Sequence, residues 1–193
     1  KNIDLQYASS ASVYGDSTTF DEDDECMPMN GYAWSKYLID RFVKEAISLP
    51  LPINIQGFRY FNVYGKHEIK KGNQASPITK FTMQAITEES IMLFEDSEKY
   101  KRDFVCVDDV CKVHEQMIEQ DVSGIFNVGT GRAVSFQTVG ELIAEKHNVY
   151  INQIPMPNVL RGSYQEFTKA NIDKLMKHVD IEWTRVEDYI NNV

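Results

Sequence analysis

Short apolar runs and segments of helical period alternate along the whole chain, and this alternation constrains its fold more than any other feature. Leu5–Ser10, Ile53–Tyr60, Ile91–Phe94, Phe104–Val107, Gly124–Val128 and Tyr150–Pro155 read as strands. Between them, Gly31–Ile47, Gln74–Glu88, Asp108–Gln120 and a segment from Ser135 to about His147 read as helices. Two more helices are expected over Thr168–His178 and Thr184–Ile190. The first helix spaces Tyr37, Leu38, Phe42, Val43 and Ile47 along one face, and Pro50 and Pro52 end it. Pro77 suits a first helical turn, and the acidic start of Asp108–Gln120 complements the helix dipole. Gly15–Met29 and Phe61–Asn73 are expected to be loops, with the acidic run Asp21–Glu25 in solvent. Such an order predicts an α/β fold around a mostly parallel sheet, with ligands outside the carboxyl ends of the strands, near Ser10 and the loop after Tyr60.

Chemistry enters at Tyr32-Ala33-Trp34-Ser35-Lys36. Residues four apart share a helix face, so the phenol of Tyr32 and the ammonium of Lys36 are neighbours. A phenol ionises near ~10, too high for a base at neutral pH, and a close cation favours the phenolate. A serine hydroxyl alongside, such as Ser10, could hold a carbinol or carbonyl oxygen. These groups suit proton transfer to or from an alcohol while a hydride leaves or arrives. The spacing by itself describes many surface pairs. Its weight comes from Tyr7-Ala8-Ser9-Ser10-Ala11-Ser12-Val13-Tyr14-Gly15, which reads as a buried strand running into a loop about twenty residues earlier.

Composition narrows the classes. At 193 residues with 42% hydrophobic content, the chain can bury a sizeable core. A net charge of −9 argues against a general nucleic-acid binder. No apolar run is long enough to span a bilayer, and Lys1–Leu5 lacks the apolar core of a secretory signal. Cys26, Cys106 and Cys111 have no zinc-type spacing and fit free thiols in a reducing cytoplasm. The four histidines, His67, His114, His147 and His178, are scattered without metal spacing, and surface positions are expected for them.

The serine segment followed by Tyr-x-x-x-Lys resembles the extended short-chain dehydrogenases/reductases. Further segments match in order: Gly57-Phe58-Arg59-Tyr60-Phe61-Asn62-Val63-Tyr64-Gly65, Lys101-Arg102-Asp103-Phe104-Val105-Cys106-Val107-Asp108-Asp109, and Gly124-Ile125-Phe126-Asn127-Val128-Gly129-Thr130-Gly131. These resemble the branch that modifies nucleotide sugars. Lys71-Gly72-Asn73-Gln74-Ala75-Ser76, Phe94-Glu95-Asp96-Ser97 and Arg161-Gly162-Ser163-Tyr164-Gln165-Glu166-Phe167-Thr168 are most similar to the ADP-heptose 6-epimerases. That group has Ser where Asn73 stands, Gly at Asp96 and Arg at Ser163, and a family histidine falls at Lys80.

The resemblance implies the C-terminal part of an extended Rossmann-type reductase, a doubly wound parallel sheet, with a smaller α/β substrate-binding lobe. Residues 1–61 would belong to the dinucleotide-binding domain. Residues 62–193 would form mainly the substrate lobe, with some segments returning to the first domain. It implies NADP, with NAD possible, and a hydride withdrawn from C6 of ADP-heptose and returned to its other face. Ser10, Tyr32, Lys36 and Lys71 would be catalytic, and Tyr32, Lys36, Val63 and Lys71 would touch the cofactor. Asn62, Asn73, Lys80, Phe94, Glu95, Asp96, Ser97, Arg102 and Tyr164 would contact substrate, with Arg102 on the pyrophosphate. Plainer roles compete: a solvated loop for Lys71, a loop cap for Asn62, a strand-end turn for Phe94–Ser97, a salt bridge to Asp103 for Arg102 and a half-buried ring for Tyr164. No metal site is expected. A homo-oligomer in the cytoplasm, serving lipopolysaccharide core synthesis, is implied as well.

No Gly-x-Gly-x-x-Gly follows a strand, and the glycines at Gly124, Gly129 and Gly131 have the wrong spacing. Such a turn lets backbone N–H groups approach a pyrophosphate. The chain is therefore read as the C-terminal portion of a longer enzyme, expected by itself to bind NADP poorly and to be inactive. A UDP- or dTDP-sugar 4-epimerase or 4,6-dehydratase is one alternative. The acid-free Ser9–Ser12 segment disfavours the dehydratase. A silent nucleotide-sugar binding or assembly module is another.

Overall fold

The computed structural model describes residues 4–158 and 165–192. In chain order run β1 (Leu5–Ser10), α1 (Gly31–Ala46), β2 (Ile55–Tyr60), β3 (Asn62–Tyr64), α2 (Pro77–Glu88), β4 (Ser90–Phe94) and β5 (Lys101–Cys106). Then follow α3 (Val107–Ile118), β6 (Gly124–Val128), β7 (Ala133–Ser135), α4 (Phe136–His147), β8 (Tyr150–Ile154) and α5 (Val186–Asn192). Short 3-10 turns occupy Ala11–Tyr14, Glu68–Gln74 and Leu175–Lys177. The fold is α/β and Rossmann-like. β1, β2 and β6 make a parallel sheet in that order, with Ser10 opposite Tyr60 and Tyr60 opposite Val128.

The remaining strands form smaller units. β3 pairs with β5 in parallel, β5 with β7 antiparallel, and β4 with β8 in parallel. Residues 61–73 are therefore more ordered than the loop expected there. Their polar, glycine-punctuated sequence hides a three-residue strand whose ladder comes from Phe104–Cys106, a long-range partner. The helix expected over Thr168–His178 reduces to the 3-10 turn Leu175–Lys177. This stretch is held from outside: Lys101 N donates to Glu166 O, and Thr168 N to Lys101 O.

Apolar packing divides the same way. Phe58, Phe126 and Val128 of the first sheet meet Val110, Val113 and Met117 of α3. A second cluster joins Tyr64, Ile78, Ile91, Leu93, Phe104, Phe136 and Ile143 with Val186 and Ile190 of α5. In α1 the buried positions are Ala33, Asp40 and Val43, whereas Leu38 and Phe42 of the expected apolar face are exposed. The periodicity is helical, but the face that meets β1 is the one carrying Asp40. One glycine matters for this packing: a Cβ on Gly57 would stand 2.4 Å from the Tyr7 ring on the adjacent strand. Only a residue without a side chain leaves room for that ring.

Candidate active site

The end of β1 turns sharply at its serines. Ser10 is extended (φ −153°, ψ 143°) and caps the 3-10 turn Ala11–Tyr14, its Oγ accepting from Ser12 N at 3.2 Å. That leaves its hydroxyl proton free for another acceptor. The hydroxyls of Ser9 and Ser12 are buried and have no partner among the described residues. Gly15 closes the turn with φ 57°, where a Cβ would lie 2.0 Å from Met27 O. Left-handed backbone and this close approach both select glycine.

Asn30 starts α1, its side chain accepting from Ala33 N at 2.9 Å, a cap that satisfies an otherwise orphaned donor. Tyr32 therefore lies in the first turn and is 58% exposed. Its phenol makes no hydrogen bond among the described residues. Lys36 Nζ reaches back to Ala8 O at 2.9 Å and lies 5.8 Å from the centroid of the Tyr32 ring. The structure thus gathers Ser10, Tyr32 and Lys36 around the carboxyl end of β1.

Behind them sits a buried polar network. Arg59 Nε donates to Asp40 Oδ2 at 2.8 Å, both side chains 1% exposed. Tyr7 OH donates to Asp40 Oδ1 at 2.9 Å. The Arg59 guanidinium lies 4.8 Å from the centre of the Tyr14 ring, and Tyr14 OH donates to Asn127 Oδ1 at 2.7 Å. Glu22 is buried too and accepts from Asn127 N at 2.8 Å, which corrects the expectation that the whole acidic run lies in solvent. Burial pushes the Glu22 carboxyl above its usual range, against the bond from Asn127 N.

Lys71 stands in the Glu68–Gln74 turn, its Nζ 3.1 Å from Glu68 Oε1. Glu68 is buried and also accepts from Ser76 Oγ at 2.5 Å and Thr79 Oγ1 at 2.8 Å. Burial alone would raise its pKa. The bonds from Ser76, Thr79 and Lys71 outweigh burial and hold it below the ordinary carboxylate value. Glu68 was not a candidate from sequence, although its position three residues before Lys71 was the available signal. Asn73 is exposed in the same turn, while Asn62 and Val63 are half-buried in β3.

Beside α2 and β4, Lys80, Phe94 and Ser97 share the wall of a cavity of about 290 Å³ with Phe81, Tyr100 and Phe136. Glu95 and Asp96 are exposed beside it. Asp96 takes φ 61°, a left-handed conformation that aspartate tolerates better than most residues. Ser97 Oγ donates to Gln137 Oε1 at 2.6 Å. Arg102 is buried, stacks 5.4 Å from the centroid of Phe136, and donates to the carbonyls of Lys101 and Gln165. The carboxylate of its neighbour Asp103 accepts from Thr130 N (2.8 Å), Gly131 N (2.9 Å) and Ala170 N (3.0 Å). Tyr164 lies outside the described residues.

His114 is also fixed in place rather than free on the surface. Its Nδ1 faces Gln6 Oε1 at 2.7 Å and its Nε2 faces Tyr60 OH at 2.5 Å. Among the described residues no group of three or more potential ligands could hold a metal ion, and no helix is long and apolar enough to cross a membrane.

The described geometry is that of a parallel α/β sheet with a strand-end serine beside a Tyr-x-x-x-Lys helix. Residues 1–129 match the NAD dependent epimerase/dehydratase family model, and the chain belongs to that family. Among solved structures it is similar to the ADP-L-glycero-D-manno-heptose-6-epimerase of Helicobacter pylori, with 29% identity and a TM-score of 0.85 over 98% of this chain. It is similar in fold to a UDP-N-acetylglucosamine 4-epimerase from Methanobrevibacter ruminantium (22% identity, TM-score 0.84, 96% of this chain). The same holds for a UDP-glucose 4-epimerase of Thermus thermophilus solved with NAD (24% identity, TM-score 0.77, 97% of this chain). The chain spans 58%, 60% and 61% of the lengths of those three.

Proposed function

We propose that the intact protein epimerises a nucleotide sugar, and that its substrate is ADP-D-glycero-D-manno-heptose, inverted at C6. The observation that carries this reading is the convergence of Ser10, Tyr32 and Lys36 at the carboxyl end of β1. The choice of heptose is supported by the 29% identity with the Helicobacter pylori enzyme and by the segments at Lys71–Ser76 and Phe94–Ser97.

A nicotinamide cofactor fits the groups present. Tyr32 offers a free phenol, Lys36 has donors left after its bond to Ala8 O, and Ser12 contributes a buried hydroxyl without a partner among the described residues. Tyr32, Lys36, Val63 (through its backbone) and Lys71 would hold the cofactor, which is taken as NADP with NAD as the alternative. When bound, it supplies a hydride acceptor and then a hydride donor. Ser10, its oxygen oriented by Ser12 N, donates its proton to the reacting sugar oxygen. Tyr32 takes and returns the proton of that oxygen on one face. Lys71, paired with Glu68 Oε1 at 3.1 Å, would serve the other face. Asn62, Asn73, Lys80 and Phe94–Ser97 would contact the sugar nucleotide. Arg102 would bind the pyrophosphate, and Tyr164, outside the described residues, is assigned to a phosphate by the sequence resemblance alone. Residues 1–61 would contribute to a cofactor domain and 62–193 mainly to a substrate lobe, in a cytoplasmic homo-oligomer serving lipopolysaccharide core synthesis.

The test is turnover of ADP-D-glycero-D-manno-heptose by the intact protein, with the C6 configuration read by NMR and UDP-glucose and UDP-N-acetylglucosamine as competitors. Inversion at C6 of the heptose is expected. Tyr32→Phe should then lower kcat on the order of 100-fold or more. Inversion at C4 of a UDP-sugar with the heptose untouched would replace the substrate. Binding without turnover of any of the three would favour a silent module.

A further inference from the structure

We propose that Arg59 and Asp40 are positioning residues that set the gap between the serine turn and the Tyr32–Lys36 helix. The proposal rests on the reading of Ser10, Tyr32 and Lys36 given above. Asp40 follows Lys36 by four residues on α1, so the two lie on one face. Fixing Asp40 against the sheet fixes the rotation of the helix at Lys36, whose Nζ then meets Ala8 O at 2.9 Å. Arg59 stands opposite Ser9 in the β1–β2 register and is the shared partner of three segments. It bonds Asp40 of α1 at 2.8 Å, covers the ring of Tyr14 in the serine turn at 4.8 Å, and donates to Glu22 O of the acidic loop at 3.4 Å.

Tyr7 completes the arrangement. Its ring fits because Gly57 is opposite, and its hydroxyl donates to the second oxygen of Asp40. Burial pushes the phenols of Tyr7 and Tyr14 well above their ordinary range, so both remain donors to their partners at neutral pH. Stability does not explain the choice of residues. A buried ion pair can often be replaced by apolar side chains of similar volume with neutral or favourable effect. What apolar groups cannot reproduce is a planar cation that bonds a helix and a loop and covers the ring of a turn at fixed angles.

That difference makes the experiment. The variant combining Asp40→Leu, Arg59→Met and Tyr7→Phe is prepared in the intact protein. Its thermal midpoint should stay within a few degrees of the parent. Its kcat should fall on the order of 100-fold, while KM for the nucleotide sugar changes by about threefold or less. Amide hydrogen exchange should quicken in residues 10–15 and 30–37 and stay unchanged in β6. Arg59→Lys keeps the charge without the planar fork, and should share the kcat loss. If the combined variant fails to fold, Arg59→Lys gives the same readings. Parental kcat and exchange in a stable variant would overturn the proposal, and so would kcat loss that merely tracks loss of folded protein. Tyr32→Phe run alongside separates the two failures. Full turnover by Tyr32→Phe removes the catalytic reading itself. An inert Tyr32→Phe beside a fully active combined variant removes only the positioning role.

Discussion

The α1 face of the sheet that carries Ser10 and the region around α2, β4 and α4 are held together by different physics. On the α1 face of β1 and β2, opposite the apolar packing against α3, a chain of ionic and hydrogen-bonded contacts is buried: Arg59 with Asp40, Tyr7 with Asp40, Tyr14 with Asn127, Asn127 with Glu22. Around α2, β4 and α4 they are apolar, with Leu93, Ile91, Phe104 and Ile143 almost wholly out of water. Apolar packing sums many small, non-directional contacts, so each side chain contributes separately. A buried network is all or nothing, because one missing partner strands the others without solvent. The region proposed to do the chemistry thus has the less forgiving architecture and the more defined geometry.

The largest effect should come from breaking the network at one point. Arg59→Ala leaves Asp40 buried and uncompensated and should cost about 3–5 kcal/mol in chemical denaturation. Leu93→Ala in β4 should cost a comparable or smaller amount, about 2–5 kcal/mol, mostly through the cavity left against Gly140. The contrast sharpens in pairs. A second deletion at Asp40 should return stability to Arg59→Ala, whereas Ile143→Ala should add its own loss to Leu93→Ala. Additive losses at both places would erase the distinction.

A middle-sized effect concerns the start of α1. Asn30→Ala removes the bond to Ala33 N and should cost about 1 kcal/mol, with faster amide exchange at Ala33. The smallest is a dependence on pH. Burial lowers the pKa of His114 from its free value near 6.5. The unfolded chain therefore binds the proton first. Stability from this group is full above about 6.5 and is lost as pH falls from there toward the folded value. His114→Gln should flatten that part of the profile. An unchanged slope would show that His114 charges freely in the folded protein.

Much of this was legible in advance where the signal was local. The strand ending at Ser10, the helix beginning after Asn30 and the helix ending at His147 are set by nearby apolar spacing and caps, and they fall where expected. β3 and β7 escaped because three-residue strands take their stability from β5, far away in sequence. Residues 168–178 have helical periodicity, but Asp103 and Lys101 claim their backbone. At the site, Ser10, Tyr32 and Lys36 were visible because they form a spaced pattern. Arg59, Asp40 and Glu68 were not, since a charged residue in a sequence does not reveal whether it is solvated. The same ignorance put Leu38 and Phe42 on the buried face of α1 and Glu22 in water.

Asp103 ties two distant stretches of the chain to one side chain. One carboxylate collects N–H groups from Thr130, Gly131 and Ala170, stretches of chain forty residues apart. Neither stretch can be transplanted or redesigned alone, because an altered conformation in one strands the oxygen shared with the other. An engineer exchanging loops with a relative would have to move 129–131 and 168–170 as a single cassette.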